Sequence, residues 1–321
     1  MTTPMRSYST EIRSGALSGA RKGWSSFLWI CTVIVPVSFV VALLQWSGWL
    51  EHAQSVLEPV MSWLGLPGEA ALPILSGLVI NIYAAIAIMT VLPFSLGQMT
   101  LIAVFILIAH NLILEGIIQH RSGINVVMIT VVRITAAVVT VVAISPFFHD
   151  TEQAVAATAS LAAGTSVLAA TGDWALDILV LLAKILVIIM AIMVLLECLT
   201  RLGWTEHLSR YAGPVMKLLG LSDRSAMLWV TAVVFGLMYG GAVIQERARQ
   251  GDLTREELRH LQVSMGINHS MVEDPALFLA LGINGFWLWV PKLVTAVAAV
   301  HAVKGIGYLV NRLARRQEHT T

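Results

Sequence analysis

Charged side chains are scarce in this sequence. Asp, Glu, Lys and Arg make up 12% of its 321 residues, whereas soluble globular proteins carry roughly 25%. This scarcity excludes a soluble enzyme, and a formal net charge of +1 without a basic run among aromatic residues excludes a nucleic-acid-binding protein. Hydrophobic residues make up 57%, and several apolar runs exceed the ~18–20 residues that cross a bilayer, namely residues 24–46, 124–147 and 174–196. The composition predicts an all-α polytopic membrane protein in contact with lipid.

Cysteine is scarce too, and no common catalytic motif is present. Cys31 and Cys198 lie in apolar segments, far from any C-x-x-C or Cys/His ligand spacing, so we expect them to pack as small hydrophobic residues. The patterns G-x-x-x-x-G-K-[ST], H-E-x-x-H and G-x-S-x-G do not occur, which leaves ATP-driven pumping and the common hydrolytic reactions without support. We therefore expect neither an enzyme nor a bound cofactor.

The sequence contains an internal repeat. Residues 49–66 and 204–221 share the patterns W-x-E-H and P-V-M-x-x-L-G-L at the same spacing. The register continues through four further pairs: Tyr83 with Tyr239, His110 with His269, Glu115 with Asp274, and Arg133 with Lys292. This self-similarity predicts two structurally related halves.

The distribution of basic residues predicts how the halves are arranged. Basic residues concentrate in cytoplasmic loops. The basic residues of this chain all fall on one side of the membrane only if each half crosses it about three times. The third apolar segment of each half, near residues 70–92 or 225–244, must then enter and leave the membrane on the same side. The halves are then inverted repeats, each with an amphipathic helix and a re-entrant or broken helix, as in secondary transporters. The candidate breakpoints are Pro73, Asn81 and Pro93 in the first half, and Gly236, Gly240 and Gly241 in the second.

This arrangement divides the chain into five parts. They are a cytoplasmic N-terminal segment at residues 1–23, a first repeat at 24–148, an external connector at 149–173, a second repeat at 174–305 and a cytoplasmic tail at 306–321. The first apolar run is too long for a signal peptide and is interpreted as an uncleaved span. Both termini are expected in the cytoplasm of a bacterium, with the spans in its inner membrane.

Each half places an acid and a base at the same predicted depth. Glu115 lies nine residues before the centre of the turn at residues 123–125, and Arg133 lies nine residues after it. At a rise of 1.5 Å per residue, both lie about 13 Å from the turn and near mid-bilayer. The same counting around the second Gly-Ile-Asn turn places Asp274 opposite Lys292. Each pair is interpreted either as a structural ion pair or as a site where a substrate competes with the pair.

Histidine and asparagine lie shortly before these acids, as His110-Asn111 in the first half and Asn268-His269 in the second. His269 and Glu273 are four residues apart and so share a helix face, a spacing that can hold a metal or pass a proton. Together with Asp274 they form a candidate metal-ligand set. Hydrogen-bonded structural histidines are the alternative.

Other polar residues within apolar segments complete the candidates for solute binding or gating. They are Asn81, Tyr83, Tyr239 and Lys184. Packing or interfacial roles are the alternative for the two tyrosines. Lys184 is a candidate because it lies in the middle of a predicted crossing, where a charge is costly.

Three segments resemble a known family: LPGEAALP at residues 66–73, AHNLILE at 109–115 and NHSMVED at 268–274. They are similar to the nucleoside recognition, or Gate, domain membrane proteins. That group includes the spore maturation proteins A and B and shares its domain with the channel segment of ferrous iron transporter B and with concentrative nucleoside transporters. The resemblance covers roughly residues 50–140 and 205–300 and implies a permease or gating role. The repeat motifs contain no cysteine, which argues against an iron transporter.

Three functions remain open at this point. The leading hypothesis is a secondary transporter for a small polar solute, anionic or nucleoside-like, with the two acid–base pairs at the interface of the repeats. The second is a divalent-metal channel or gate that uses His269, Glu273 and Asp274. The third is a non-transporting membrane partner in which polar pairs only hold helices together. No nucleic-acid partner is expected, and the oligomeric state, including a homo-oligomer, stays open.

Overall fold

The computed structural model describes residues 8–47, 57–148 and 167–318, and within these ranges the chain is helical without a strand. The α-helices of the first half are α1 (Tyr8–Trp46), α2 (Ala71–Val79), α3 (Ile82–Val91), α4 (Leu96–Ile108), α5 (Leu112–Arg121) and α6 (Val126–Ile144). Those of the second half are α7 (Val167–Arg201), α8 (Trp204–Tyr211), α9 (Gly213–Leu219), α10 (Ala226–Gln250), α11 (Arg255–Asn268), α12 (Glu273–Leu279) and α13 (Gly285–Glu318). The predicted all-α fold is confirmed.

The long helices have the length and composition of membrane spans. Within the described part of the chain, five segments are long and apolar enough to cross a membrane: Tyr8–Trp46, Leu96–Arg121, Val126–Phe148, Thr171–Arg201 and Gly285–Val310. Apolar side chains such as Val139, Leu179 and Val187 are exposed on these helices, as contact with lipid requires. The chain is therefore a polytopic membrane protein.

A sixth crossing, predicted in the second half, is not among these five segments. It would consist of α11 and α12, the counterparts of α4 and α5. α11 begins with the charged run at residues 255–259 and is interrupted before α12, so it lacks a long apolar stretch. The number of crossings stays a prediction.

The predicted hairpin segments are interrupted helices. α2 and α3 are separated at Asn81, whose side chain caps α3 by accepting a hydrogen bond from a backbone N–H at 2.9 Å. α10 is interrupted at Gly236, whose φ of 81° suits glycine. Pro93 lies between α3 and α4, whereas Pro73 lies in the first turn of α2, where proline is tolerated. The side of the membrane on which each segment ends stays a prediction.

The first helices of the two halves pack closely along three glycines. Gly15, Gly19 and Gly23 of α1 face α7. A Cβ on Gly19 would lie 2.6 Å from the carbonyl oxygen of Met193 and 2.6 Å from the Cα of Val194. Small residues at this spacing let helix backbones approach within van der Waals contact, which drives helix association in lipid. The α1–α7 contact thus joins the two halves.

We predict that Gly19→Ile destabilises the protein, because its Cβ meets backbone that a rotamer change cannot move. The expected cost is about 1–3 kcal/mol, as for other overpacked positions. Thermal unfolding of the purified protein in detergent measures it. Gly305→Ile is the matched control, since Gly305 is also helical and a Cβ there meets nothing within 4 Å. Equal unfolding temperatures for the two variants would contradict close α1–α7 packing.

Candidate functional site

Two interrupted helices, one from each half, meet at their histidines. His110 follows α4 and His269 follows α11. The two Nε2 atoms lie 3.2 Å apart, and both side chains are buried. Because the breaks face one another, the residues that follow each break come together at one place.

Both breaks are built in the same way. The Nδ1 of each histidine lies 2.9 Å from the carbonyl oxygen four residues earlier. The next residue, Asn111 or Ser270, has a positive φ, 50° and 52° respectively. Its backbone N–H donates to a carbonyl of the preceding interrupted helix, that of Gly77 at 2.8 Å or of Ala232 at 3.2 Å. The sequence repeat therefore has a local structural counterpart here.

One cationic side chain in each half donates to the carbonyls that the break leaves free. Arg133 donates from Nη2 to the carbonyl of His110 at 2.8 Å and from Nε to that of Ile108 at 3.1 Å. Lys292 donates from Nζ to the carbonyl of His269 at 2.9 Å. Arg133 and Lys292 thus stabilise interrupted backbone that has no water to bind at membrane depth.

The two predicted acid–base pairs differ. Arg133 also donates from Nη1 to Oε2 of Glu115 at 2.6 Å, so the first pair is present. Among the described ion pairs, none joins Asp274 to Lys292 within 4 Å, so the second predicted pair is not a direct salt bridge; an electrostatic pairing at longer range stays a prediction. The guanidinium of Arg133 carries five N–H donors, so it can bind carbonyl oxygens and a carboxylate at the same time. The ammonium of Lys292 is a compact charge and donates here to a carbonyl oxygen. Asp274 instead accepts from the hydroxyl of Ser270 at 3.0 Å.

The carboxylates contact the histidines of the opposite half. Oε1 of Glu115 lies 3.0 Å from Nε2 of His269 and 3.3 Å from Nε2 of His110. Oδ2 of Asp274 lies 3.4 Å from Nε2 of His110. We call the six buried residues at this junction the central polar cluster: His110, Glu115, Arg133, His269, Asp274 and Lys292.

Two imidazole nitrogens and two carboxylate oxygens face one another in this cluster. A carbonyl oxygen only accepts, so the Nδ1 of each histidine carries the proton that it donates to the backbone. The two Nε2 atoms therefore face each other and the carboxylates, and each Nε2 accepts when its imidazole is neutral and donates when it is protonated. His110, His269 and Asp274 each offer an atom that could ligate a metal, and these atoms lie within 4.8 Å of one another. The cluster therefore brings possible metal ligands from both halves together at one place.

The group of possible metal ligands in the structure contains His110 in place of Glu273 of the predicted set. Glu273 does not face His269 but accepts a hydrogen bond from the hydroxyl of Tyr83 at 3.1 Å. The helix ends at His269, whose backbone is extended, so the four-residue spacing no longer places both side chains on one face. His110, from the first half, takes the position that Glu273 was predicted to fill.

The other predicted site residues lie outside the cluster. Asn111 contributes its backbone N–H, and Asn81 caps α3. Lys184 is exposed on α7 beside residues 279–282 and shares no described hydrogen bond or ion pair with the cluster. The side chain of Tyr239 lies outside the described part of the structure.

Three side-chain amides are buried beside the cluster, and only one of them was predicted from the sequence as a site residue. Asn268 was predicted, but Gln119 of α5 and Gln262 of α11 were not. Both polar atoms of Gln262 and Asn268, and Oε1 of Gln119, are buried without a hydrogen-bond partner among the described residues. Nε2 of Gln119 donates to the backbone carbonyl of Gln262 at 3.3 Å. The spacing of Gln262, Gly266 and His269 on one face of α11 is the signal that could have found them.

Comparisons with known proteins agree with this architecture. The chain matches the family Gate, described as nucleoside recognition, over residues 27–172 and 182–284. It is 30% identical over 290 residues to the uncharacterized membrane protein YvoD of Bacillus subtilis (strain 168), covering 89% of this chain and 93% of that protein. No solved structure gives a significant match. The chain belongs to the Gate family, as its motifs indicated.

We predict unequal effects of removing the two carboxylates. Glu115→Gln leaves Arg133 as an uncompensated buried charge and should cost about 3–5 kcal/mol, and adding Arg133→Met should restore part of it. Asp274→Asn keeps an acceptor for Ser270 and strands no cation within 4 Å, so its cost should be about 1 kcal/mol or less. Thermal unfolding with a metal chelator present measures both. Equal losses would indicate that Asp274 does neutralise Lys292.

Proposed function

We propose that this member of the Gate family is a secondary transporter or permease for a small polar solute. The solute would pass between the two halves, near mid-membrane and beside the central polar cluster. The proposal assigns no catalytic reaction to the chain. The observation that carries it is the set of buried amide atoms, Oε1 of Gln119 and both polar atoms of Gln262 and Asn268, that have no hydrogen-bond partner among the described residues.

The energetic cost of these amides supports a functional role. A buried donor or acceptor without a partner costs about 1–3 kcal/mol. Both side-chain polar atoms of Gln262 and of Asn268 lack a hydrogen-bond partner among the described residues, and each residue is 0% exposed. A leucine or methionine would avoid this cost, so the amides are better explained by a polar route through the interior.

The interrupted helices support the same proposal. Backbone broken at membrane depth is tolerated where it is buried in protein or lines a cavity. In secondary transporters such breaks lie at the substrate site, between repeats. Here the breaks at His110 and His269 adjoin each other and the amides of α11.

The alternative of a non-transporting membrane partner fits these residues less well. A protein whose polar side chains only hold helices together would satisfy them internally, as Glu115 and Arg133 do. Gln262 and Asn268 are not satisfied in this way. Their condition favours transport over a purely structural role.

The donors of the cluster bear on the charge of the solute. Arg133 and Lys292 direct their N–H groups to backbone carbonyls and to Glu115. Little positive charge is then free to receive an anion, while the histidines and carboxylates present acceptors. The arrangement favours a neutral solute with hydrogen-bond donors, such as a nucleoside, or a cation.

We predict that a polar route makes residue 268 reachable from water. In a protein with Cys31→Ala and Cys198→Ala, Asn268→Cys should react with the small hydrophilic reagent 2-aminoethyl methanethiosulfonate at least about tenfold faster than Ile267→Cys. Ile267 is the matched control because it is the adjacent residue of α11 and is also 0% exposed. Mass spectrometry of the folded protein in liposomes measures the rates. Equal, slow modification of both would contradict the route.

We propose that the spans lie in a bacterial inner membrane with both termini and the loop between α10 and α11 in the cytoplasm. The basic residues Arg247, Arg255 and Arg259 of this loop region support that orientation. The acidic connector would be external; its residues 149–166 lie outside the described part of the structure.

We predict opposite labelling at these two places. In the same cysteine-free background, a membrane-impermeant maleimide applied to intact cells should label Ser160→Cys but not Arg255→Cys. Permeabilised cells should show labelling at both, which controls for reactivity. Labelling of Arg255→Cys alone in intact cells would reverse the orientation.

A further inference from the structure

We propose that the central polar cluster binds one divalent transition-metal ion, such as Zn²⁺, at the junction of the two halves. The ligands are Nε2 of His110, Nε2 of His269, Oδ2 of Asp274 and Oε1 of Glu115. The ion would link helices of both halves, whether or not it is itself transported. The binding site thus goes beyond the proposed passage of a polar solute.

Four of the six separations among the ligand atoms match those of a tetrahedral metal site. Metal–ligand bonds of about 2.0–2.2 Å place neighbouring ligand atoms about 3.3 Å apart. The two Nε2 atoms are separated by 3.2 Å, and Oε1 of Glu115 lies 3.0 Å and 3.3 Å from them. Oδ2 of Asp274 lies 3.4 Å from Nε2 of His110. Ligand atoms of four residues, two from each half, therefore lie close together at one place.

Each ligand is oriented by a hydrogen bond from its other polar atom. The Nδ1 atoms of His110 and His269 donate to backbone carbonyls. Oε2 of Glu115 accepts from Arg133, and Oδ1 of Asp274 accepts from Ser270. Such outer bonds fix the tautomer of a metal-binding histidine and the direction of a carboxylate. The second polar atom of each of these four side chains, which makes none of these bonds, is the proposed metal ligand.

A single positive species between the four inward atoms would satisfy all of them together. Each Nε2 accepts when its imidazole is neutral, and both carboxylate oxygens accept. Asp274 is 6% exposed, and its Oδ2 has no hydrogen-bond partner although it points into the cluster. A buried acceptor in this condition is costly, and a metal ion would satisfy all four at once.

The ligand types determine which ions suit the cluster. Imidazole with carboxylate favours Zn²⁺, Co²⁺, Fe²⁺ or Mn²⁺, whereas Mg²⁺ and Ca²⁺ prefer sites made of oxygen atoms. We therefore expect Zn²⁺ and Co²⁺ to bind and Mg²⁺ not to bind.

Metal titration of the purified full-length protein in detergent tests the site. After treatment with EDTA, Zn²⁺ should raise the unfolding temperature, and Co²⁺ should bind one ion per chain with the visible absorption of a tetrahedral nitrogen–oxygen site. Mg²⁺ at the same concentration should do neither. Absence of both Zn²⁺ stabilisation and the Co²⁺ spectrum in the folded wild-type protein would overturn the proposal and leave a shared proton as the occupant.

Variants locate the ion. His110→Gln and Asp274→Asn should each weaken Zn²⁺ affinity at least about tenfold. His301→Gln is the matched control, because its Nδ1 makes the same 2.9 Å contact with the carbonyl four residues earlier but the side chain is exposed. Undiminished affinity in His110→Gln and Asp274→Asn would overturn the assignment. The Co²⁺ spectrum of the wild type decides the question should both variants fail to fold.

The metal site and the polar route fail separately. Metal binding with no modification of Asn268→Cys would keep the site and refute the route. Modification of Asn268→Cys without metal binding would keep the route and refute the site.

Discussion

A helix broken at membrane depth exposes carbonyl oxygens that neither water nor lipid can satisfy, and the rest of this structure depends on how they are satisfied. Arg133 and Lys292 reach from α6 and α13 to the breaks after α4 and α11. Removing either cation would leave buried carbonyls without donors. The breaks, in turn, bring His110 and His269 together at the junction of the halves.

The difference between arginine and lysine makes the site asymmetric. Arg133 has donors left for Glu115 after it has bound two carbonyls, whereas Lys292 binds one carbonyl and no described carboxylate. Asp274 is then held by Ser270 and keeps one oxygen free. Two halves with the same local construction therefore yield one neutralised carboxylate and one that is available to a ligand.

The helical fold could be predicted from the sequence, whereas side-chain partners could be predicted only in part. Counting residues from the turns identified Glu115 and Arg133 as partners because both lie on regular helices at equal distance from one turn. The same counting failed for Asp274, since the break after α11 redirects the chain and Lys292 has another acceptor. The four-residue spacing of His269 and Glu273 misled for a related reason, because the helix ends at His269 and the two side chains no longer share a face. Gln119 of α5 was missed because its proximity to Gln262 comes from packing between the halves, which no spacing along the sequence reveals.

The contacts between opposite halves couple the cluster to any opening of the interior. Glu115 of the first half contacts His269 of the second, and Asp274 of the second contacts His110 of the first. Under the proposed function, a relative movement of the halves that widened a route beside Gln262 would therefore separate these atoms. A ligand shifts such an equilibrium only by its difference in affinity between the two arrangements. A cation held by atoms of both halves loses ligands on opening and so favours the closed arrangement, whereas a solute bound to the amides of α11 alone has no such preference.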